Sequence, residues 1–188
     1  GPIFAAFSSR PIVDLAQDAK AIDAGKRLFS NYCSQCHGSD ARGTMGYPNL
    51  SDKDWLYGGD ADKIKQSILL GRNGMMPAFG APLGEQGVEN VANYVQSLSG
   101  RNVDSASAAA GKAQFQIMCV ACHGADGKGN QMIGAPNLTD DIWLHGSSAG
   151  RIKKTISEGR SSKMPTHKEF LGDDKSHLLA AYIYSLSN

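Results

Sequence analysis

Two pentapeptides hold the residues best suited to chemistry: Cys33-Ser34-Gln35-Cys36-His37 and Cys119-Val120-Ala121-Cys122-His123. In a C-x-x-C-H arrangement the two thiols add across the vinyl groups of a porphyrin, and the imidazole that follows reaches the iron. The pattern is the attachment signature of a c-type haem. The two copies use all four cysteines of the chain. A disulfide framework would not set each pair two apart beside a histidine, and thioredoxin-type dithiol chemistry needs neither the histidine nor a second copy. Two covalently bound haem c groups are expected, one on Cys33 and Cys36, the other on Cys119 and Cys122. His37 and His123 each supply one axial ligand.

The elements that position these motifs are themselves repeated. Gly25-Lys26 with Phe29 matches Gly111-Lys112 with Phe115, and Pro48-Asn49-Leu50 matches Pro136-Asn137-Leu138. Trp55-Leu56 matches Trp143-Leu144, Gly71-Arg72 matches Gly159-Arg160, and Met76-Pro77 matches Met164-Pro165. The second copy carries two extra residues between its histidine and its Pro-Asn-Leu. The expected organisation is a lead-in segment (1–19) lying on a domain surface, a first domain (20–99), a polar linker (100–106) and a second domain (107–188).

Each copy reads as helices joined by Gly-rich loops, with almost no strand. A first helix carries Ile22, Gly25, Phe29 and Tyr32, or Ala108, Gly111, Phe115 and Met118, with Ser107 as its N-cap in the second copy. A middle helix runs over about Asp60–Leu70 and ends on Gly71, which suits a left-handed cap. A last helix shows Val88, Val91, Ala92, Val95 and Leu98, or Leu179, Ile183 and Leu186. The glycine on each first helix allows close approach of an aromatic ring of the copy's last helix. The longest apolar run, Leu178–Tyr184, fits one side of a short helix and falls far below the roughly 18 residues of a membrane span. With a formal net charge of +1 and no basic stripe, nucleic-acid binding is not expected. A soluble chain is expected. Gly1-Pro2 reads as the scar of a cleaved tag, so the natural chain is expected to begin earlier, with room for an anchor upstream.

Electron transfer calls for a second axial ligand, since an open iron binds small molecules. Candidates in the first copy are Met45, Met75 and Met76. Those in the second are Met132, His145, Met164, His167 and His177. Met76 and Met164 are equivalent, and each precedes a proline that stiffens its loop. They are the preferred ligands, with Met75 a rival to Met76. Met118 reads as core, and Met45 and Met132 as neighbours of a haem. His145 matches Tyr57 and is not expected to bind iron. His167 and His177 are expected at the surface. A ligating histidine donates its second N–H to a fixed acceptor, and the carbonyls of Pro48 and Pro136 are candidates. Trp55, Trp143, Arg72 and Arg160 are candidates to hydrogen-bond haem propionates, with core packing the competing reading for the tryptophans. No separate catalytic constellation is visible: Asp52/Asp54 and Asp140/Asp141 read as caps and solvated charge.

Each repeat resembles a small class I cytochrome c domain. The wording around each motif is similar to the dihaem subunit III of the cbb3-type cytochrome c oxidases. The stretches that carry the likeness are Cys36-His37-Gly38-Ser39-Asp40-Ala41-Arg42-Gly43, Pro48-Asn49-Leu50 and Asp54-Trp55-Leu56-Tyr57-Gly58-Gly59. In the second copy they are Cys122-His123-Gly124-Ala125-Asp126-Gly127-Lys128-Gly129, Gly134-Ala135-Pro136-Asn137-Leu138 and Trp143-Leu144-His145-Gly146. The resemblance implies an all-α chain of two tandem cytochrome c domains, anchored upstream by a membrane helix and facing the periplasm. It implies electrons taken from a soluble donor cytochrome c and handed to other subunits of the oxidase, with no catalysis by this chain alone. A free periplasmic dihaem carrier is the alternative, and a dihaem peroxidase, which needs an iron that opens, is a third reading.

Overall fold

Hydrophobic periodicity becomes a mostly helical chain in the computed structural model, which describes residues 2–188. Two short helices, α1 (Pro2–Ser8) and α2 (Ile12–Leu15), precede α3 (Ala19–Tyr32), which runs into the single turn α4 (Ser34–His37). After a long loop come α5 (Ala61–Leu70), strand β1 (Arg72–Met76) and α6 (Gly80–Leu98). The order then repeats with α7 (Ser105–Met118), α8 (Val120–His123), α9 (Ala149–Glu158), β2 (Arg160–Met164) and α10 (Lys168–Ser187).

Side-chain caps start α3, α5, α7 and α9. Asp18 accepts from Lys20 N and Ala21 N at the head of α3, Asp60 from Lys63 N at α5, and Ser148 from Arg151 N at α9. At α7 the cap is Asp104, which accepts from Ser107 N at 2.7 Å. Ser107, expected as the cap, thus lies inside the helix, because an aspartate three residues earlier already satisfies its N–H. The two strands pair as a small sheet where almost none was expected. Neither Arg-Asn-Gly-Met-Met nor Arg-Ser-Ser-Lys-Met contains a β-branched or aromatic residue, so propensity gave no signal there.

The chain forms two compact units that cut across the repeats 20–99 and 107–188. Unit 1 runs up to Asn73 and resumes at Lys163–Asn188; unit 2 is Gly74–Ser162. In unit 1, α10 packs on α3 and α5. The approach is close at Gly25, where a methyl would lie 2.6 Å from Leu178 O and from Tyr182 Cβ. The rings of Phe29 and Tyr182 meet at 5.6 Å. In unit 2, α6 packs on α7 and α9, with Gly111 against the backbone of Asn90 and Phe115 5.2 Å from Tyr94. Each unit therefore joins the first helix of one repeat to the last helix of the other.

The lead-in helices belong to the core of unit 1, beyond the surface role expected for them. Ile12 and Leu15 are buried, and α1 and α2 pack on α10. Because α10 is covered by these helices as well as by α3 and α5, Leu178–Ile183 is buried along its whole length, where one face was expected. His177, expected at the surface, is buried too: its Nε2–H donates to Arg10 O at 2.8 Å, and its Nδ1 meets Lys65 Nζ at 3.2 Å. Among the described residues no helix is long and apolar enough to cross a membrane.

Candidate haem-binding sites

The first motif lies at the end of α3, where the Cys33 N–H still bonds Phe29 O before the chain tightens into α4. One helical turn puts Cys33 and Cys36 on the same side, three residues apart, and the His37 N–H returns to Cys33 O at 3.0 Å. The loop that follows doubles back on the motif. Gly43 N donates to His37 O at 2.7 Å and Leu50 N to Ala41 O at 2.8 Å. The second motif repeats this, with Gly129 N on His123 O at 2.8 Å and Leu138 N on Gly127 O at 2.7 Å.

These folded-back loops bring a proline carbonyl to each histidine. His37 Nδ1 lies 3.0 Å from Pro48 O, and His123 Nδ1 lies 3.2 Å from Pro136 O. With the Nδ1–H donating, the remaining lone pair of each ring is on Nε2. Burial pulls both imidazoles below their ordinary pKa and outweighs the opposing effect of the proline carbonyls; at His37 the charge of His167 adds to the lowering. A neutral imidazole is the form that binds a metal.

The thiols suit attachment. Burial, and then the neighbouring Cys36, push Cys33 up to about 11; burial and Cys122 do the same to Cys119. These are poor settings for a free thiolate, whereas a thioether sulfur is uncharged and at home in apolar surroundings. Two buried polar atoms near the motifs also lack a protein partner: Trp143 Nε1 and His167 Nδ1. Buried donors are rarely left so, and a group with acceptor oxygens, such as a haem with its propionates, fits these surroundings.

The structure separates the methionines by unit. Met164 packs against the core of unit 1, as does Cys33. Met76 packs against the core of unit 2, which contains Cys119 and Phe115. Met164 thus shares a unit with His37, and Met76 shares one with His123, although each lies in the other repeat. One aromatic contact ties the stretch after Met164 to the residue just before the first motif, Phe170 to Tyr32 at 5.5 Å, and within that stretch Phe170 meets His167 at 5.2 Å. Gly71 and Gly159 fix these loops. Both have positive φ, and a Cβ on either would strike the carbonyl of Met164 or Met76 respectively. Met75 is 82% exposed, which separates it from its neighbour. Met118 packs against the unit 2 core, while Met45 and Met132 are exposed.

Around the motifs, Trp55 packs on the core of unit 1 and Trp143 on that of unit 2. Arg72 lies 4.7 Å over the Tyr57 ring and donates to Ser67 Oγ and Gln66 Oε1. Arg160 donates twice to Thr155 Oγ1. Burial, and next the charge of Arg160, lower the pKa of His145. Two residues escaped sequence reasoning. Arg101, placed in the linker, stacks 5.3 Å over Trp143. His167, expected at the surface, is buried at the head of α10; its only signal was that Phe79, an apolar residue, stands at the matching position of the other repeat.

Two helical units, each closed round a C-x-x-C-H turn whose histidine is held by a proline carbonyl, define a dihaem c-type cytochrome. The family model described as "Cytochrome C oxidase, cbb3-type, subunit III" matches twice, over residues 20–95 and 106–183, and the chain belongs to that family. Each match covers one motif, and the chain carries two covalently bound haem c groups. It is 49% identical over 187 residues to the cbb3-type cytochrome c oxidase subunit CcoP of Rubrivivax gelatinosus, covering 99% of this chain and 61% of that protein. Subunit FixP of Bradyrhizobium sp. (strain ORS 278) is 41% identical over 201 residues, 99% of this chain and 69% of the relative. Subunit CcoP of Cereibacter sphaeroides is 40% identical over 177 residues, 88% and 61% respectively. The chain thus spans 61% of the length of the Rubrivivax relative.

Proposed function

We propose that this chain is the dihaem electron-relay portion of a cbb3-type cytochrome c oxidase, taking electrons from a soluble donor cytochrome c on the periplasmic side and passing them to other subunits of the oxidase. A membrane anchor upstream holds it there. The haem supplies the one-electron chemistry when bound. Cys33 and Cys36 hold one group, Cys119 and Cys122 the other. His37 with Met164 and His123 with Met76 close the two irons. Each repeat, 20–99 or 107–188, supplies one anchor and one methionine, but the methionine serves the other repeat's haem.

The observation that carries this reading is the fixed histidine with a Met-Pro loop in the same unit. A thioether opposite an imidazole favours ferrous iron and raises the potential, and ligand choice moves haem potentials over about 0.8 V. Closed irons favour a relay over oxygen activation. Trp55, Trp143, Arg72 and Arg160 line the propionate side in this reading, with the unpartnered Trp143 Nε1 its best support. Redox titration of Met76→His and Met164→His tests the ligands. Each variant should lower one midpoint potential sharply and remove about half of the methionine–iron charge-transfer band. A band unchanged in either variant rules that methionine out.

A further inference from the structure

The repeat makes one difference between the units legible. In unit 1 the face formed by α5 and α10 is covered by the chain's own lead-in helices. Ile12 and Leu15 are buried there, Arg10 O accepts from His177, and Ser8 Oγ donates to Asp174. In unit 2 the matching face lies between α9 and α6. Lys153 stands where unit 1 has Lys65, Glu89 where it has His177, and Glu85 where it has Asp173. Nothing in unit 2 corresponds to α1 and α2, and a groove of about 290 Å³ remains, lined by Gly84, Glu85, Val88, Glu89, Lys153 and Ser157.

The charges of the groove differ from those of its twin in a way that selects an occupant. In unit 1, Lys65 pairs with Asp173 at 2.8 Å. In unit 2, Lys153 turns to Glu89 at 2.7 Å, and Asn93 donates to Glu89 as well. Glu85 is left exposed on the rim with no cation paired to it among the described residues. The groove offers a small apolar floor at Val88 and an unneutralised carboxylate at its edge.

We propose that the α6–α9 groove of unit 2 docks a short helical segment of another polypeptide of the oxidase. That segment presents two apolar side chains three residues apart, as Ile12 and Leu15 do in unit 1, and a lysine or arginine towards Glu85. The inference rests on the oxidase reading above. So small a contact binds weakly between free molecules; it becomes effective when both partners are already held in one assembly, where the local concentration is high. The lead-in segment exploits the same advantage by covalent connection.

The test uses the assembled oxidase with a photo-reactive benzoylphenylalanine in place of Ser157. Irradiation should join it to one segment of another subunit bearing the stated pattern, mapped by mass spectrometry. Glu85→Lys should cut that yield at least fivefold while both haem spectra and the co-purification of the subunits stay unchanged. The proposal is overturned if the complex co-purifies but the probe captures nothing, captures this chain or a second copy of it, or captures a segment without the pattern. An unchanged yield in Glu85→Lys overturns it too. Failure of the chain to co-purify with any oxidase subunit refutes the oxidase reading itself, and the named partner with it.

Discussion

Replacing Gly25 with alanine probes the exchange of helices between repeats. The new Cβ would lie 2.6 Å from Leu178 O and Tyr182 Cβ, both on α10. Carbon contacts are comfortable at about 3.5–4.0 Å, so α3 and α10 must part by roughly 1 Å. Overpacking of this kind costs about 1–3 kcal/mol, and the better helix propensity of alanine returns about 0.5–1 kcal/mol. A net loss of about 1–2 kcal/mol lowers the thermal midpoint by about 2–8 °C in a chain of this length. The more telling effect is local. Displacing α10 moves the loop that carries Met164 and leaves the loop of Met76 in place. Under the proposed ligation, each iron-bound methionine methyl resonates far upfield in the reduced protein, and Met76→His and Met164→His assign the signals by loss. Gly25→Ala should shift or broaden the Met164 methyl, and Gly111→Ala, which crowds Asn90 on α6, the Met76 methyl. If Gly25→Ala instead moved the Met76 methyl and spared that of Met164, the exchange would be refuted.

Met75→His should leave both potentials and both upfield methyls unchanged, since Met75 is largely exposed; a new ligand field in its spectrum would show that it reaches iron. Trp143→Phe should lower the potential of the haem on Cys119 and Cys122, because a propionate that loses its donor favours ferric iron. A changed thermal midpoint with an unmoved potential would mark Trp143 as packing alone. Asp104→Ala removes the cap of α7 and should cost about 1 kcal/mol, read from the urea midpoint. Asp18 accepts from Arg10, Ala21 N and Lys20 N, which hold its carboxyl below the ordinary value of 3.8. A depressed folded pKa stabilises above the unfolded value and ceases to do so as pH falls through the folded one. Asp18→Asn should therefore lose stability at neutral pH and show a flatter acid limb below about pH 4; parallel acid limbs in the two proteins would contradict this.

The helices α3, α5 and α6 could be read from apolar spacing, and the folded-back loops from Gly and Pro at matched positions. The distances from His37 to Pro48 O and from His123 to Pro136 O have the geometry such spacing suggested. Which last helix meets which first helix was not legible, and the reason is physical. Gly25 and Gly111 offer the same notch, while Tyr182 and Tyr94 offer the same ring. Docking within a repeat and docking between repeats therefore bury nearly identical surfaces. The choice falls to contacts outside that shared interface, such as His177 to Arg10 O and Lys65 to Asp173 in unit 1 against Lys153 to Glu89 in unit 2. His177 and the lead-in helices escaped for a related reason: their partners, Arg10 O and α10, lie at opposite ends of the chain.

The exchange also sets the order in which the two pockets can close as the chain arrives N-terminus first. Unit 1 holds the motif nearest the N-terminus, yet its core waits for α10, the last helix of the chain. His177 and Arg10, which help seal it, are 167 residues apart. Contacts of such separation form late. Until α10 docks, Cys33 and Cys36 stand beside an unfinished cleft. Unit 2, continuous from Gly74 to Ser162, needs no such wait. The chain thus completes its second pocket first, and a truncation near the C-terminus would strike the haem nearest the N-terminus.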